Sequence, residues 1–135
     1  MRVSRRWMLL AAAVALTLPR RFAAAATPVS PAGLRLRAMA RPEASARAVG
    51  LAYLTRRPEE ARPLLLTELI LAALALSPAE VMQLEEGALR ARLAARIAAD
   101  FAEDRIAPVE GWLLSTTEAR LYALQAWPPA AFGQA

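Results

Sequence analysis

The stretch PLLLTELILAALAL, residues 63–76, decides the fold, and Glu68 is its only charged residue. Pro63 suits the first turn of a helix, and the segment is shorter than the roughly 20 residues that a membrane span needs. A helix that is apolar nearly all round belongs at the centre of a helical domain. We therefore predict that it is the core helix, and that leucines unable to face inward, such as Leu65 and Leu71, are available to contact a partner.

A second helix is predicted ahead of this segment, over residues 43–57. Ala46, Val49 and Tyr53 recur there at helical spacing. Gly50 lies among them, although glycine lowers the stability of a helix interior. We interpret Gly50 as a place where another helix comes close.

The sequence after the core helix predicts two more helices. SPAE at residues 77–80 is a capping box with proline at the first helical position, and it opens a helix that runs to about Asp104 with a bend at Gly87. STTE at residues 115–118 is a second capping box, and its helix ends at Trp127, before a pair of prolines.

Residues 105–114, between these two helices, break the helical pattern. Pro108 and a Glu110-Gly111 turn lie within them, which predicts a short extended excursion or a tiny hairpin. Together the signals predict an all-α fold, a small bundle of about four helices with one short extended loop before the last helix.

The N-terminal residues are organised like an export signal. The first six residues carry three arginines and no acid, the next twelve are uncharged, and the alanines that end at Ala26 offer a cleavage site. SRRWMLL, residues 4–10, resembles the twin-arginine consensus, so we expect the twin-arginine translocase to recognise Arg5 and Arg6. The alternatives are an ordinary secretory signal and an uncleaved membrane anchor.

Cleavage near Ala26 would place a helical domain in the periplasm. Residues 27–42 contain three prolines and one glycine and are expected to form an irregular leader. Residues 43–127 would be the helical domain and residues 128–135 a flexible tail. The apolar part of the signal is too short to cross a bilayer, so we expect no stable membrane span after cleavage.

The charge of the chain depends on this signal. Five of the 17 arginines lie in residues 1–21, so 12 basic residues remain opposite 12 acidic ones, and the net charge of +5 falls to zero. A neutral domain has no bulk attraction for a phosphate backbone. This balance excludes nucleic acid as the expected partner.

The residue types in the chain exclude most site chemistry. The sequence contains no cysteine and no histidine, and each of its basic residues is an arginine. This excludes disulfides, haem attachment, iron–sulfur ligation, His/Cys metal sites, histidine-assisted nucleophiles and lysine Schiff bases. We therefore expect no cofactor, no metal site and no catalytic residue.

Carboxylates are the remaining candidates for chemistry. Glu68 is either a buried functional carboxylate or a solvated glutamate at the helix edge, and we favour the second interpretation. Asp100, Glu103 and Asp104 could hold a hard cation, but they lack the glycine-turned loop of a calcium site, and we interpret them as a charged helix end. Glu118 is, with Glu68, the alternative candidate for a catalytic base.

Trp112 and Trp127 are candidates for contact with a partner, because tryptophan is enriched where binding energy concentrates. Trp112 is either an exposed anchor or a core residue that closes the end of the bundle. Leu113 and Leu114 beside it favour the core position. Trp127, next to the two prolines, is expected to be exposed.

Residues 99–124 resemble the C-terminal signature of a group of small bacterial proteins that the twin-arginine pathway exports, and no activity is assigned to that group. The matching residues are Asp100-Phe101, Gly111-Trp112, Leu114-Ser115 and Thr117-Glu118-Ala119-Arg120-Leu121. Residues 48–54, followed by residues 58–61, resemble an earlier element of the same group. In length, signal and helical make-up the chain is also similar to the small subunits of membrane-bound sugar and alcohol dehydrogenases. That similarity implies a subunit that binds no cofactor and accompanies a flavin-bearing large subunit.

These observations predict a non-catalytic exported helical protein that binds a protein partner. A small or accessory subunit of a periplasmic oxidoreductase is the specific form of this hypothesis. The alternative is a freestanding periplasmic domain that binds a small apolar ligand among its leucines. A small enzyme that uses Glu68 or Glu118 as a base is the third hypothesis.

Overall fold

The structure is a computed structural model that describes residues 29–40 and 44–127. Within these residues the chain forms six α-helices and one antiparallel pair of strands. In chain order they are α1 (Pro31–Met39), α2 (Ala44–Arg56), α3 (Pro63–Leu74), α4 (Pro78–Gln83), α5 (Glu86–Ala102), β1 (Ile106–Val109), β2 (Trp112–Ser115) and α6 (Thr116–Gln125), with a 3-10 turn (Pro58–Glu60) between α2 and α3. The mostly helical class is confirmed, with six helices in place of about four. In the part of the chain described here, no helix combines the length and apolar character needed to cross a membrane.

The helix at the centre of the domain is α6. It packs against α1, α2, α3 and α5 and against both strands, and two of its buried residues, Ala119 and Ala123, are alanines. The predicted core helix, α3, buries a single face and exposes Leu64, Glu68 and Ala72 along another. Small side chains on α6 allow neighbouring helices to approach closely, because interaxial distance depends on the side chains at the contact.

Gly50 is a point of close approach between α2 and α6. It is buried, and a side chain at this position would overlap the backbone of Tyr122. This confirms the interpretation of Gly50 as a helix–helix contact.

The expected irregular leader contains a helix, α1, which corrects the prediction for residues 27–42. Ser30 is its N-cap, and its Oγ accepts a hydrogen bond of 3.1 Å from the amide of Gly33. Leu36 on this helix is fully buried in the core. The prolines suggested irregular chain, but a Ser-Pro pair is also a helix start, since Ser caps and Pro suits the first helical position.

Arg35 on α1 shows where the long predicted helix divides. Its guanidinium donates to the carbonyl oxygens of Val81 at 2.8 Å and Met82 at 2.6 Å, and to that of Leu84. Carbonyls at the C-terminal end of a helix have no partner within the helix, and Arg35 supplies one. The chain is extended after α4, so the helix divides before the predicted bend at Gly87 rather than at it.

Residues 105–114 contribute to a hairpin, which confirms one of the two predicted alternatives. The strands pair antiparallel from Ile106 opposite Ser115 to Val109 opposite Trp112. Glu110 and Gly111 form the two-residue turn, with φ of 48° and 82°. Positive φ at both turn residues is what a type I′ hairpin turn requires.

Candidate functional site

The most exposed large apolar side chains of the described residues lie together at the turn end of the hairpin. Trp112 and Leu113, which we call the hairpin tip, expose 66% and 67% of their surface. The core position favoured for Trp112 is therefore wrong, and Leu114 is the residue of this group that is buried. Sequence reasoning missed this because the position of the ribbon against the helices decides which residues are covered, and at the turn end it buries Val109 and leaves Trp112 exposed.

Contacts with the helical domain hold the hairpin in place. Arg56 on α2 donates to the carbonyl oxygen of Pro108 at 3.2 Å, and its guanidinium lies 3.7 Å from the carboxylate of Glu110. At the base of the ribbon, the amide of Thr116 donates to the carbonyl oxygen of Arg105 at 3.0 Å. A tip held this way loses little conformational freedom when it binds a partner.

A cavity of about 250 Å³ opens between α2, β2 and α6, and Trp112 forms one of its walls. We call it the Trp112 cavity. Apolar walls come from Ala46, Val49 and Leu114, and Glu118 and Tyr122 bring polar groups to it. The cavity therefore combines an aromatic ring, an apolar lining and one carboxylate.

The carboxylate of Glu118 is held in an unexpected way. Ser115 Oγ accepts a hydrogen bond of 2.9 Å from the amide of Glu118, as the predicted capping box requires. The second half of the box is missing, because Glu118 Oε1 instead accepts a hydrogen bond of 3.1 Å from the hydroxyl of Tyr122. Among the described residues, no arginine lies within ion-pair distance of Glu118.

The other predicted contact residues lie away from the hairpin tip. Leu65 is half-buried, and it lines a cavity of about 330 Å³ together with Trp127. Trp127 is only 8% exposed, which corrects the expectation of an exposed residue. It turns back toward α6, since its amide donates to the carbonyl oxygen of Leu124 at 3.3 Å. Leu71 is also buried, against the expectation that it faces outward.

Two further groups of predicted residues lie outside the described part of the chain. The first is the expected export signal, which includes Arg5 and Arg6, the residues expected to act in signal recognition. The second is the expected tail, residues 128–135.

The candidate carboxylates take different positions. Glu68 is exposed, as the favoured interpretation predicts. Asp100 was predicted to belong to a charged helix end, but it is buried. Its Oδ1 accepts a hydrogen bond of 3.0 Å from Nε of Arg96 and one of 2.9 Å from Nε of Arg105. Its Oδ2 accepts from the amide of Thr117 at 2.9 Å, so Asp100 ties the end of α5 to the start of α6. Within residues 29–40 and 44–127, no three potential ligand side chains cluster as a metal site.

A second buried polar group, which sequence reasoning missed, joins α2, the 3-10 turn and α6. Arg120 binds the carboxylate of Glu60 with two hydrogen bonds, Nε to Oε2 at 3.0 Å and Nη2 to Oε1 at 2.9 Å. The hydroxyl of Tyr53 donates to Oε2 at 2.7 Å. The bonded arginine holds the pKa of Glu60 below its ordinary value, and Glu60 in turn raises the pKa of Arg120. Burial and the bond to Glu60 raise the pKa of Tyr53 to about 12.

This Glu60–Arg120–Tyr53 cluster is suited to holding the fold. Both oxygens of Glu60 are occupied, and its lowered pKa makes it a poor base at neutral pH. The hydroxyl of Tyr53 stays protonated at neutral pH because burial and the bond to Glu60 raise its pKa. The Trp112 cavity and the hairpin tip are thus the candidate site.

Comparison of the chain with protein-family models, with curated proteins and with solved structures found no match. The resemblances drawn from the sequence therefore remain expectations.

Proposed function

We propose that this chain is an exported, non-catalytic binding protein that attaches to a protein partner through its hairpin tip. The observation that carries the proposal is the exposure of Trp112 and Leu113, consecutive residues of β2 next to a turn that the domain holds in place. Tryptophan concentrates binding energy at interfaces when a partner desolvates it. Because successive side chains of a strand point to opposite faces, Trp112 and Leu113 place exposed apolar surface on both faces of the ribbon at its turn end.

The specific form of the proposal is a small subunit that accompanies a periplasmic oxidoreductase. The chain lacks histidine and cysteine, so common haem, iron–sulfur and copper ligands would have to come from the partner. The twin-arginine pattern at Arg5 and Arg6 supports export by a pathway that carries folded proteins. A cofactor loaded before export would then belong to the partner.

Affinity purification from the periplasm tests the proposal. The tagged chain is expressed in its own host, and the proteins that accompany it are identified and quantified by mass spectrometry. We expect a single protein in a stoichiometric amount, and we expect it to be an oxidoreductase subunit. The double variant Trp112→Ser/Leu113→Ser should lose this protein.

The matched control is Leu34→Ser/Phe101→Ser, which changes two other exposed apolar residues. It should retain the partner. Recovery of nothing stoichiometric by the unaltered chain, or retention of the partner by the hairpin variant, contradicts the proposal. A stoichiometric partner that is not an oxidoreductase subunit contradicts the specific form alone.

A second function has an observation of its own, a groove of about 380 Å³ between α1, α3 and α4. Pro31, Leu64, Leu71 and Met82 are among its mainly apolar lining residues. This volume falls within the range of about 300–1,000 Å³ typical of small-molecule sites. The groove supports the alternative of a domain that binds a small apolar ligand. Native mass spectrometry of the purified chain tests it, and a mass equal to that of the chain alone contradicts it.

A further inference from the structure

The Trp112 cavity has the size of a site for one side chain. Its volume of about 250 Å³ lies below the range of about 300–1,000 Å³ that small-molecule sites occupy. It is also open at the surface beside the hairpin tip, because Trp112 belongs to both features. An occupant can therefore enter it from a partner that rests on the tip.

The chemistry of the lining calls for a positive charge on an aliphatic stem. Glu118 brings a carboxylate that has no ion-pair partner among the described residues. Its remaining acceptor capacity is considerable, since a carboxylate offers about four lone-pair sites and Tyr122 uses one. Trp112 adds an indole ring to the lining, and cations are attracted to the face of such a ring. Val49 and Leu114 suit the methylene groups of a stem.

We propose that the Trp112 cavity binds an arginine side chain supplied by the partner protein. This inference rests on the proposed function and adds the residue type that the partner contributes. A guanidinium can stack flat against an indole and donate two hydrogen bonds to one carboxylate. Lysine offers a compact and strongly hydrated charge, so it gains less from the same surroundings.

Tyr122 is the positioning residue of this site. Its hydroxyl holds Glu118 Oε1 at 3.1 Å, and both residues lie on α6, one turn apart. Because this bond replaces the second half of the capping box, it keeps the carboxylate at the cavity rather than at the helix start. The incoming guanidinium therefore meets an acceptor that is already oriented.

Nuclear magnetic resonance of the purified chain tests the proposal with a small probe. N-acetyl-arginine amide is titrated while the indole N–H signals of Trp112 and Trp127 are followed, and the Trp112→Phe spectrum identifies the signal of Trp112. We expect a saturable shift of that signal with a dissociation constant on the order of 10 mM, as suits one side chain. N-acetyl-citrulline amide, a neutral analogue of the same shape, should bind at least about tenfold more weakly, because it lacks the charge.

Two variants show whether Glu118 is responsible for binding the arginine probe. Glu118→Gln keeps the shape of the side chain and removes its charge, so the arginine probe should bind about five- to tenfold more weakly. Glu59→Gln, which changes an exposed carboxylate outside the cavity, should bind the probe like the unaltered chain. The dispersion of the amide spectrum reports whether each variant is folded.

The outcomes separate this inference from the proposed function. Equal binding of the arginine and citrulline probes, or unchanged binding by a folded Glu118→Gln variant, overturns the arginine site. Preferential binding of N-acetyl-lysine amide also overturns it in favour of lysine. Each of these three results leaves the hairpin tip as a partner contact, because the loss of the partner from the Trp112→Ser/Leu113→Ser variant is measured separately.

Discussion

A β-carbon placed on Gly50 would lie 2.1 Å from the carbonyl oxygen of Tyr122 and 2.5 Å from its carbonyl carbon. Such distances lie far inside van der Waals contact, and the atoms that would have to move belong to a helix backbone. Glycine at this position therefore sets the spacing between α2 and α6.

We expect Gly50→Ala to lower the free energy of unfolding by about 3 kcal/mol, at the upper end of the cost of overpacking a core. Urea denaturation followed by circular dichroism measures this change. Gly87→Ala is the matched control, because a β-carbon there meets nothing within 4 Å and replaces glycine in a helix. The control should raise the stability by about 0.5–1 kcal/mol. Equal effects of the two variants would contradict the close approach at Gly50.

The pair of Glu60 and Arg120 should make stability depend on pH in the acid range. Because the folded state lowers the pKa of Glu60 from 4.5, its contribution is complete above that value and is lost as the pH falls through the lower folded pKa. We expect Glu60→Gln to cost about 2 kcal/mol at neutral pH, as for a hydrogen bond to a charged group. Denaturation at several pH values should show this difference shrinking below pH 4.5.

Glu59→Gln is the control for that experiment, since Glu59 is exposed and lies 3.7 Å from Arg57. Exposed ion pairs contribute little, so we expect a change of less than about 1 kcal/mol. A Glu60→Gln effect that stays constant through the acid range would contradict the lowered pKa.

The hydroxyl of Tyr53 should ionise at an unusually high pH. Burial and the bond to Glu60 raise its pKa from 10.0 to about 12, so the stability that the neutral phenol contributes is present below pH 10 and is lost as the pH rises through about 12. Spectrophotometric titration of phenolate formation, with Tyr53→Phe subtracted, isolates this group. A subtracted transition centred near pH 10 would contradict the arrangement.

Asp100 should be important for the junction of α5 and α6. Asp100→Asn removes the charge that Arg96 and Arg105 face, and it leaves a buried site with unsuitable donors. We expect a loss of about 2 kcal/mol in the free energy of unfolding. Glu103→Gln, on a side chain that is 54% exposed, is the control and should cost less than about 1 kcal/mol. Similar losses in both variants would mean that burial of Asp100 is unimportant.

The hypothesis of export by the twin-arginine pathway is tested by substitution of Arg5 and Arg6. We expect Arg5→Lys/Arg6→Lys to abolish delivery to the periplasm, because the twin-arginine translocase reads the arginine pair itself. Cell fractionation and immunoblotting measure where the chain accumulates. Mature protein in the periplasm of the double variant would assign the chain to the general secretory route.

Local signals in the sequence predicted much of the fold. The spacing of apolar residues and the capping residues located α2, α3 and α6 to within two residues of their ends. The Glu110-Gly111 pair predicted the turn of the hairpin, since few residue pairs accept positive φ at both positions. Ser30-Pro31 carries the same kind of signal for α1 as Ser77-Pro78 does for α4, whereas the prolines counted together indicate irregular chain.

Contacts between distant residues could not be predicted in this way. The ion pair of Glu60 and Arg120 joins positions 60 residues apart, and neither residue has a local feature that identifies the other. The same holds for Arg35, which donates hydrogen bonds to carbonyl oxygens at the end of α4, more than 40 residues away. The exposure of Trp112 depends on where the hairpin lies against the helices, and apolar neighbours in the sequence cannot report that position. The Trp112 cavity was missed for the same reason.

Because α6 lies at the centre of the domain and follows α1 to α5 in the sequence, the core is completed late in synthesis. Residues 116–125 leave the ribosome after α1 to α5, although they supply the surface on which several of those helices are buried. Until then the buried face of α3, with Leu66 and Ile70, lacks its main neighbour and is open to chaperones or to aggregation. Folding is therefore expected to be completed only after synthesis has passed α6, and a premature stop before it should yield a chain that is degraded.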